Sequence, residues 1–498
     1  MDKENRYLNK NSMSLLSLIF ITIAGVLPII APIEVAAFIS NALGAAIWPV
    51  ILGYLLFLAV SLPILEYTRI VPFTGGYYGL AELGFGKTVG KFTALCNYLF
   101  YNSWQMANAF FIGWLIVDTI YILYGQMIPV WGWILISILT LFITFTITIQ
   151  HPKNLGRILT VSVLSVLLIV VATAVYVILK SSYNSTYYLS PLSSPSGFVG
   201  IALATAVVGF YTFTGYASPL FYSEESVDSR KNVWRAIYLG LTISAVTIAI
   251  VTYSEVVSVP YSKLSIIGSS SMPQLVAWIY YFPKVFLLAL NLIIGIVSLI
   301  AFGGGSGAQA RLLWAMSRDG FINSSWINKL DNNKVPRNAA IFNLLLALVT
   351  TIVASFILIY FYGYNPNTVE LSFYVAGTLS TILWYFHHFI PEMGLYAFLR
   401  KHKEFKFSKI RKLISGLIVP VGGVAFFLYT FYEGIIGDLV EPYFAAVIIG
   451  FLLILFALIY TLYKRRKGAL GESVVLYYIS ENKEDLTHIS DVNSNKNI

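Results

Sequence analysis

Long apolar stretches separated by short polar segments run through almost the whole chain. Twelve of them contain about 20 or more largely apolar residues, the length that a helix needs to cross the hydrocarbon core of a bilayer. The pattern predicts an all-α integral membrane protein with twelve transmembrane helices. The predicted spans cover residues 13–40, 46–66, 89–120, 128–149, 156–180, 198–224, 234–258, 281–305, 338–361, 369–391, 411–433 and 441–463. Basic residues precede the first stretch, but its length predicts a retained span rather than a signal peptide.

Two of these stretches contain residues that interrupt a helix at similar depth. The first, "SLIFITIAGVLPIIAPIEVAAFI", has Gly25, Pro28 and Pro32 in its middle third, and proline removes a backbone donor and clashes with the preceding turn. The sixth, "GFYTFTGYASPLFYSEE" from position 209, has Gly215 and Pro219. Unpaired backbone within a membrane is tolerated only where it is buried in protein or lines a cavity. The two interruptions therefore predict helices 1 and 6 broken at the midplane around a cavity.

The spacing of the interruptions suggests an inverted repeat. Five spans separate the start of the first interrupted helix from that of the second, so the two run in opposite directions, and spans 1–5 and 6–10 form candidate inverted halves. Interrupted segments at corresponding positions of two halves point to the binding site of a transporter. The alternative is two unrelated Pro/Gly kinks. The predicted units are an N-terminal tail 1–12, a transport core 13–391, two additional helices with a basic loop 392–463, and a C-terminal tail 464–498.

Polar residues follow one face of two predicted helices. They recur at helical spacing, and they are Asn97, Tyr101, Gln105 and Asn108 in span 3 and Asn291, Gly295 and Ser298 in span 8. Hydrogen bonding between helices is one interpretation of these stripes. The other is a polar side of a central path.

Composition and charge place the chain in a membrane. Hydrophobic residues make up 58% and charged residues only 11%, against about 25% charged residues in soluble proteins. All but three of the 32 Lys and Arg residues fall in segments on one side of the predicted spans, the exceptions being Lys180, Lys263 and Lys284. This distribution predicts a multi-pass plasma-membrane protein with both termini in the cytoplasm. The net charge of +9 is thereby assigned to topology and lipid contact, and nucleic acid is excluded as a partner.

Other chemistry finds little support in the sequence. "GFGKT" at 84–88 resembles a phosphate loop, but Ala81 stands where the motif requires glycine, so an ATP-driven pump is excluded. The five histidines show no metal-ligand spacing, which predicts neither an enzyme nor a metal site. Cys96 is the single cysteine and excludes an intrachain disulfide. Asn184 begins a glycosylation sequon in an outer loop, and its use stays open.

Three motifs resemble the amino acid–polyamine–organocation (APC) transporter superfamily. They are "EYTRIVPFTGGYYGLAELGFGKTVG" (66–90), "GFYTFTGYASPLFYSEESVDSRKNVWRAI" (209–237), and "RLLWAMSRDGFINSS" followed by "VPRNAAI" (311–341). The resemblance implies the APC fold, a 5+5 inverted repeat of ten helices plus two C-terminal helices, with helices 1 and 6 unwound around an amino acid site. The chain departs from the family at the first break, where "ITIAGVLPI" has Gly25 but no Gly-x-Gly element.

The broken helices also suggest what they bind. Half-helices that begin near 26–28 and 216–219 present free amides, and the opposing half-helices end in free carbonyls, so together they match the two charges of an α-amino acid. The backbone predicted on the carboxylate side is that around Thr22, Ile23, Ala24, Gly25 and Val26. Those on the ammonium side are Tyr211, Thr212, Phe213 and Thr214, with Gly215 permitting the turn. Phe213 and Tyr216 are aromatic gates or packing residues, and Asn97, Tyr101 and Gln105 are expected along the path.

Two residues are candidates for ion coupling, and no other cofactor is predicted. Glu34 lies nine residues beyond Gly25, about 13 Å along a helix. A carboxylate within a span usually has a role, here either proton or cation coupling or a structural contact. Ser298 is a candidate ligand of Na⁺. Some APC members use a lysine in helix 5, but span 5 has no charge between Arg157 and Lys180, so H⁺ and Na⁺ both stay open.

These features predict a secondary active transporter of amino acids that works by alternating access, as an ion-coupled symporter or an exchanger. Because Glu34 is the only acidic residue expected in the central region, neutral amino acids are the favoured substrates. Alternatives are an amino acid sensor or channel on the same fold, and a carrier of polyamines or other organic cations. The oligomeric state is left open.

Overall fold

The chain folds into helices joined mostly by short turns. The computed structural model describes residues 7–206, 211–402, 407–436 and 440–476, and these ranges contain eighteen α-helices and no strand. The α-helices are α1 Leu15–Val26, α2 Ala31–Glu34, α3 Ala36–Ala42, α4 Ile47–Thr68, α5 Tyr77–Phe85, α6 Lys87–Tyr124, α7 Val130–Thr148, α8 Pro152–Lys180, α9 Gly197–Ala204, α10 Ser229–Val256, α11 Leu264–Gly268, α12 Pro273–Trp278, α13 Lys284–Arg318, α14 Arg337–Tyr362, α15 Pro366–Lys401, α16 Lys409–Leu413, α17 Val419–Phe431 and α18 Tyr443–Arg466.

Tighter and wider turns connect or extend these helices. The 3₁₀ segments are Pro28–Ile30, Leu43–Ala45, Thr186–Leu189, Pro191–Ser193, Tyr211–Phe213, Ser218–Glu225 and Tyr261–Lys263, and the π segments are Ile414–Ile418 and Tyr432–Ile436. Two of the 3₁₀ segments, Tyr211–Phe213 and Ser218–Glu225, replace α-helix in the second half of the sixth predicted span.

Most of the predicted spans are apolar helices of membrane-crossing length. In the part of the chain that the structure describes, nine helices meet this condition, and a tenth is added when α1 is joined with the bent segment Pro28–Glu34. The sixth predicted span is interrupted, and α15, although long enough, is not among the nine. A multi-pass membrane protein is thus shown, and the count of twelve stays a prediction.

The first predicted break lies at the end of α1. The helix stops at Val26, Leu27 adopts a left-handed conformation with φ 58°, and its amide donates to the carbonyl of Ile23 at 2.7 Å. Pro28 then begins a 3₁₀ turn, because it has no amide with which to continue the α-helical pattern. The following segment, Pro28–Glu34, is bent by 42° from α1.

The sixth predicted span contains the second change of direction. Its helix α9 ends at Ala204, and residues 207–210, the first part of the predicted interruption, lie outside the described residues. After Tyr211–Phe213 the chain makes a non-helical turn at Gly215, where φ is 88°, before the segment Ser218–Glu225 begins. A positive φ of this size is readily available only to glycine.

The end of the bundle that carries Met13, Glu225 and Arg318 is called the inner end here, and the opposite end the outer end. At the inner end, α5 occupies what the sequence predicted as a loop, and the end of the described C-terminal segment packs beside it. Lys91, fully buried, lies 2.6 Å from the Asp319 carboxylate and 3.4 Å from Glu82, and its Nζ donates to the carbonyl of Glu472 at 3.3 Å. Burial raises the pKa of the Glu82 carboxyl, and the Lys91 ammonium opposes that rise.

The orientation of the bundle can be tested with single cysteines at the two ends of α8. Cys96 is completely buried, so we expect it to be inert to an impermeant maleimide in intact cells. In a Cys96→Ser background, Ser185→Cys beyond the outer end of α8 should label in intact cells, and Asn154→Cys at its inner end should label only after permeabilisation. The reverse labelling pattern would overturn the predicted cytoplasmic location of the termini.

Candidate functional site

The two interrupted segments meet each other through their glycines. A Cβ atom added to Gly25 would lie 2.3 Å from the carbonyl oxygen of Gly215, and one added to Gly215 would lie 2.4 Å from the carbonyl oxygen of Gly25. No side chain fits between the two backbones at this distance. The predicted halves of the site, "TIAGVLP" and "GFYTFTG", are therefore in direct backbone contact.

A cavity lies on each side of this contact. The central cavity is lined by Ala24, Gly25, Tyr101, Gly215, Ser218 and Phe302 among others. The outer cavity is lined by Val26, Leu27, Pro28, Glu34, Phe38 and Thr212 among others. Room for the centre of a water molecule amounts to about 10 Å³ in the central cavity and about 0 Å³ in the outer one, so both are closed down to narrow spaces in this conformation.

The central cavity combines aromatic walls with a few polar groups. Phe100 and Trp104 of α6 stack with ring centroids 6.1 Å apart on one side. Ser218 donates through Oγ to the Gly215 carbonyl at 2.8 Å, and Tyr101 lines the same space. Apolar walls with a few placed polar groups are typical of a site that binds a small polar molecule.

Seven of the residues predicted for binding or coupling line these two spaces. Ala24, Gly25, Tyr101 and Gly215 line the central cavity, whereas Val26, Glu34 and Thr212 line the outer one. The structure thus brings parts of both interrupted segments and one residue of the span 3 stripe to the same place. Glu34 is half-buried at the end of α2, on the outer side of the first break.

Two predicted residues of the first break face elsewhere. The methyl side of Thr22 packs on Gly240 of α10, and its hydroxyl donates to the carbonyl of Leu18 at 3.3 Å. The carbonyl of Ile23 accepts the amide of Leu27, so it is not a free polar group for a ligand. The assignment of their backbone to the carboxylate side stays a prediction.

The two predicted aromatic gates pack against neighbouring helices and line neither cavity. The ring of Phe213 is fully buried, 6.1 Å from Phe57 of α4. The ring of Tyr216 meets Phe57 edge-on at 4.9 Å, and its hydroxyl lies 2.8 Å from Nε2 of His388 in α15. Of the two other predicted residues here, Thr214 lies in the turn before Gly215, and only the backbone of Tyr211, in a 3₁₀ turn, is described.

The remaining predicted polar residues are buried between helices. Gln105 of α6 donates to the side-chain oxygen of Gln309 of α13, which supports the interhelical interpretation of its stripe. Asn97 is completely buried, and within the described ranges its side-chain amide has no hydrogen-bond partner. Ser298 is equally buried, and among the described atoms its hydroxyl likewise lacks a partner. None of these three lines either cavity.

Buried ion pairs that the sequence reasoning did not assign close the inner end. Arg311 of α13 and Glu225 form a bidentate pair with both side chains fully buried, and Nη2 to Oε1 measures 3.0 Å. The guanidinium lies 4.1 Å from the ring centroid of Tyr222, whose hydroxyl donates to the Gly304 carbonyl at 2.7 Å. The segment that follows the second break is thereby held against α13, below the central cavity.

A second pair reinforces this closure. Arg318 contacts both carboxylate oxygens of Glu224 at 2.9 and 3.1 Å, and the amide of Thr74 donates to the same carboxylate at 3.0 Å. Signals for both pairs are present in the sequence, in the acidic end of "SPLFYSEE" and in "RLLWAMSRDG". Spacing alone could not show that these two segments, some 85 residues apart, meet.

The part of the chain that the structure describes contains no cluster of three or more His, Cys, Asp or Glu side chains placed to hold a metal ion. The prediction that no cofactor is bound stays a prediction.

Comparisons with known proteins agree with this architecture. A family model described as "Amino acid permease" matches residues 13–479. Similar curated proteins are the low-affinity putrescine importers PlaP of Escherichia coli K12 and O157:H7, each 24% identical over 277 residues. That match covers 54% of this chain and 59% of each importer, less than two thirds of their length.

Among solved structures, two point mutants of the Eremococcus coleocola manganese transporter have a similar fold. Each gives a TM-score of 0.57 at 14% identity and covers 91% of this chain and 95% of its own. At this identity the similarity concerns the fold alone.

Proposed function

From the premise that the chain belongs to the amino acid permease family, we propose that it is a secondary active carrier of amino acids that works by alternating access. Its architecture, in this proposal, is twelve transmembrane helices with a 5+5 inverted repeat and breaks in helices 1 and 6. The match of the family model over residues 13–479 supports the assignment over nearly the whole chain.

The observation that carries the proposal is the contact between Gly25 and Gly215, with a cavity on each side. Helix ends concentrate partial charge, positive where a helix begins and negative where it ends. An α-amino acid brings one carboxylate and one ammonium group, so it can satisfy both kinds of helix end at once. The tight approach of the backbones makes these ends, rather than long side chains, the main contacts with a ligand.

Alternating access follows from which end of the site is closed. Here Arg311 and Glu225 seal the inner end, so release to that side requires the segment Ser218–Glu225 to move away from α13. That segment begins directly after the Gly215 turn and carries Ser218 of the central cavity. A ligand bound between the breaks therefore contacts the element whose movement opens the inner end.

A second candidate substrate class is the polyamines. Glu34 lines the outer cavity beside the first break, and a carboxylate there suits an ammonium group of the substrate. The similarity to putrescine importers points the same way. Putrescine has no carboxylate, so its recognition would depend on Glu34 more than on the helix ends.

Transport into proteoliposomes tests the proposal and separates the two classes. Purified protein is expected to take up labelled neutral amino acids and to exchange them with internal unlabelled substrate. Labelled putrescine is tested in parallel, with Glu34→Gln as the discriminating variant and Glu66→Gln, at the inner-end pair with Arg411, as its control. Loss of putrescine uptake alone in Glu34→Gln would assign the polyamine class. Binding without uptake or exchange would indicate a sensor, and no binding of either class would overturn the carrier proposal.

A further inference from the structure

A buried histidine and a buried glutamate lie one turn apart in α15. Nδ1 of His388 is 2.7 Å from Oε1 of Glu392, and both side chains are fully shielded from solvent. Neither oxygen of Glu392 accepts a hydrogen bond of normal geometry among the described residues, although the imidazole is so close. Among those residues, His388 is also its only ion-pair partner. The carboxyl group is thus poorly satisfied in this conformation.

The pair connects directly to the second break. Nε2 of His388 lies 2.8 Å from the hydroxyl of Tyr216, which is the residue that follows Gly215. The ring of Tyr77 in α5 lies beside the pair, with its centroid 5.2 Å from that of the His388 ring. A line of protonatable groups therefore runs from the turn between the two cavities to Glu392.

Among the described residues, the groups around this line are aromatic rings and a second histidine, and none of them forms an ion pair with Glu392. Helix α4 presents Phe57, and α6 presents Tyr101 to Tyr77. On α15 itself the Trp384 ring lies 4.3 Å from the His388 ring. His387, whose Nδ1 is 3.2 Å from the Leu383 carbonyl, packs edge-on against Tyr77 with ring centroids 5.2 Å apart.

The charge of the pair depends on one proton. With neutral His388 and ionised Glu392 the pair carries a net charge of −1, which is costly in an apolar, buried setting. One bound proton removes that charge, whether it resides on the carboxyl or on the imidazole beside it. The deprotonated pair therefore favours a conformation in which water or another donor reaches it, and the protonated pair favours the closed arrangement.

We propose that His388 and Glu392 form the proton-binding site of the carrier and that Tyr216 links its occupancy to the break at Gly215. The inference rests on the proposed transport function and assigns H⁺ as the coupling ion. The pair binds a proton while it is accessible from the acidic exterior. It releases that proton after the inner end opens. Substrate and proton then cross in the same direction, because both act on the turn at Gly215.

The test compares two kinds of transport in proteoliposomes. Exchange of internal for external substrate needs no net proton movement, whereas accumulation driven by an acidic exterior does. Glu392→Gln keeps the shape of the side chain and fixes it in the neutral state, so we expect exchange to persist and proton-driven accumulation to fall at least tenfold. Glu255→Gln is the matched control: this glutamate is equally buried but lies at the outer end of α10, and its substitution should leave both activities unchanged.

Two further variants separate proton binding from a structural role. Tyr216→Phe removes only the hydroxyl that links the pair to the break, and should weaken the dependence of accumulation on the pH gradient. His388→Gln should lower proton-driven accumulation, as Glu392→Gln does. A pH-sensitive dye inside the vesicles should show internal acidification with substrate uptake by the wild type but not by Glu392→Gln.

The outcomes distinguish this inference from the proposed function. If the wild type neither binds nor exchanges any substrate, the carrier proposal itself fails. If it transports but Glu392→Gln retains full proton-driven accumulation and internal acidification, the proton site is wrong and the carrier stands. A loss of both exchange and accumulation in a folded Glu392→Gln protein, judged by its elution as a single detergent-solubilised species, would assign the pair a structural role and overturn the inference.

Discussion

Gly215→Leu is expected to abolish substrate binding and transport while the protein still inserts and folds. A Cβ atom at this position lies 2.4 Å from the carbonyl oxygen of Gly25, a backbone atom that cannot rotate away. The φ of 88° adds strain of about 1–3 kcal/mol for a residue other than glycine. Overpacking typically adds about 1–3 kcal/mol more. The two penalties, about 2–6 kcal/mol together, push the backbones apart. At about 1.4 kcal/mol per tenfold change, a bound state that must restore their contact loses about 30-fold to 10⁴-fold in affinity.

A leucine elsewhere in the membrane provides the control. Gly422 lies in α17 with no atom within 4 Å of an added Cβ and without a positive φ, so Gly422→Leu should leave binding and transport unchanged. Binding is measured by isothermal titration or by a thermal shift with the substrate identified in the uptake assay, and insertion by the yield of monodisperse protein. Normal affinity in Gly215→Leu would contradict the location of the site between the two breaks.

The interruptions themselves follow from local chemistry, which explains why they could be predicted. Pro28 lacks the amide that an α-helix needs, and Gly215 permits a φ that other residues avoid, so each effect acts within a few residues of its cause. The end of α1 at Val26 and the turn at Gly215 both lie where these residues place them. The contact between the two turns does not follow from such local chemistry. The shared cavity was predicted because the two interruptions lie at similar depth in their spans.

The direction of side chains could not be predicted in the same way. Tyr101 and Gln105 lie on one helical face, yet Tyr101 lines the central cavity, whereas Gln105 pairs with Gln309 on α13. Phe213 follows Thr212 directly, and the two point to different surroundings because the backbone there is a 3₁₀ turn. Such differences depend on which neighbouring helix packs alongside, and one sequence does not contain that information.

Contacts between polar residues that are far apart in the sequence were not predicted, for the same reason. His388 and Glu392 are four residues apart, so their shared helical face was visible in the sequence, but the approach of Tyr216 from 172 residues away was not. The expectation that Glu34 is the only acidic residue in the central region is corrected by Glu392, which is fully buried in α15. Helix α15 extends to Lys401, ten residues beyond its predicted end, and therefore includes Glu392.

Glu225→Gln should open the inner end of the carrier. The substitution leaves the Arg311 guanidinium buried without its carboxylate, and breaking a buried pair in this way usually costs about 3–5 kcal/mol. A conformation in which Arg311 reaches water avoids much of this penalty, so its population relative to the closed state should rise by about 100-fold or more. The measurement is labelling of Ser218→Cys, in a Cys96→Ser background, by an impermeant thiol reagent applied to inside-out vesicles.

The exposed ion pair Asp228–Lys231, three residues further along the chain, shows why burial decides this result. Its atoms are 3.9 Å apart and its side chains 57% and 56% exposed, and such a pair contributes about 0–1 kcal/mol. Asp228→Asn should therefore leave labelling at position 218 unchanged. Adding Arg311→Gln to Glu225→Gln removes the stranded charge and should restore much of the protection, because the penalty comes from that charge rather than from a lost attraction. Equal labelling in the wild type and Glu225→Gln would show that the Arg311–Glu225 pair does not close the inner end.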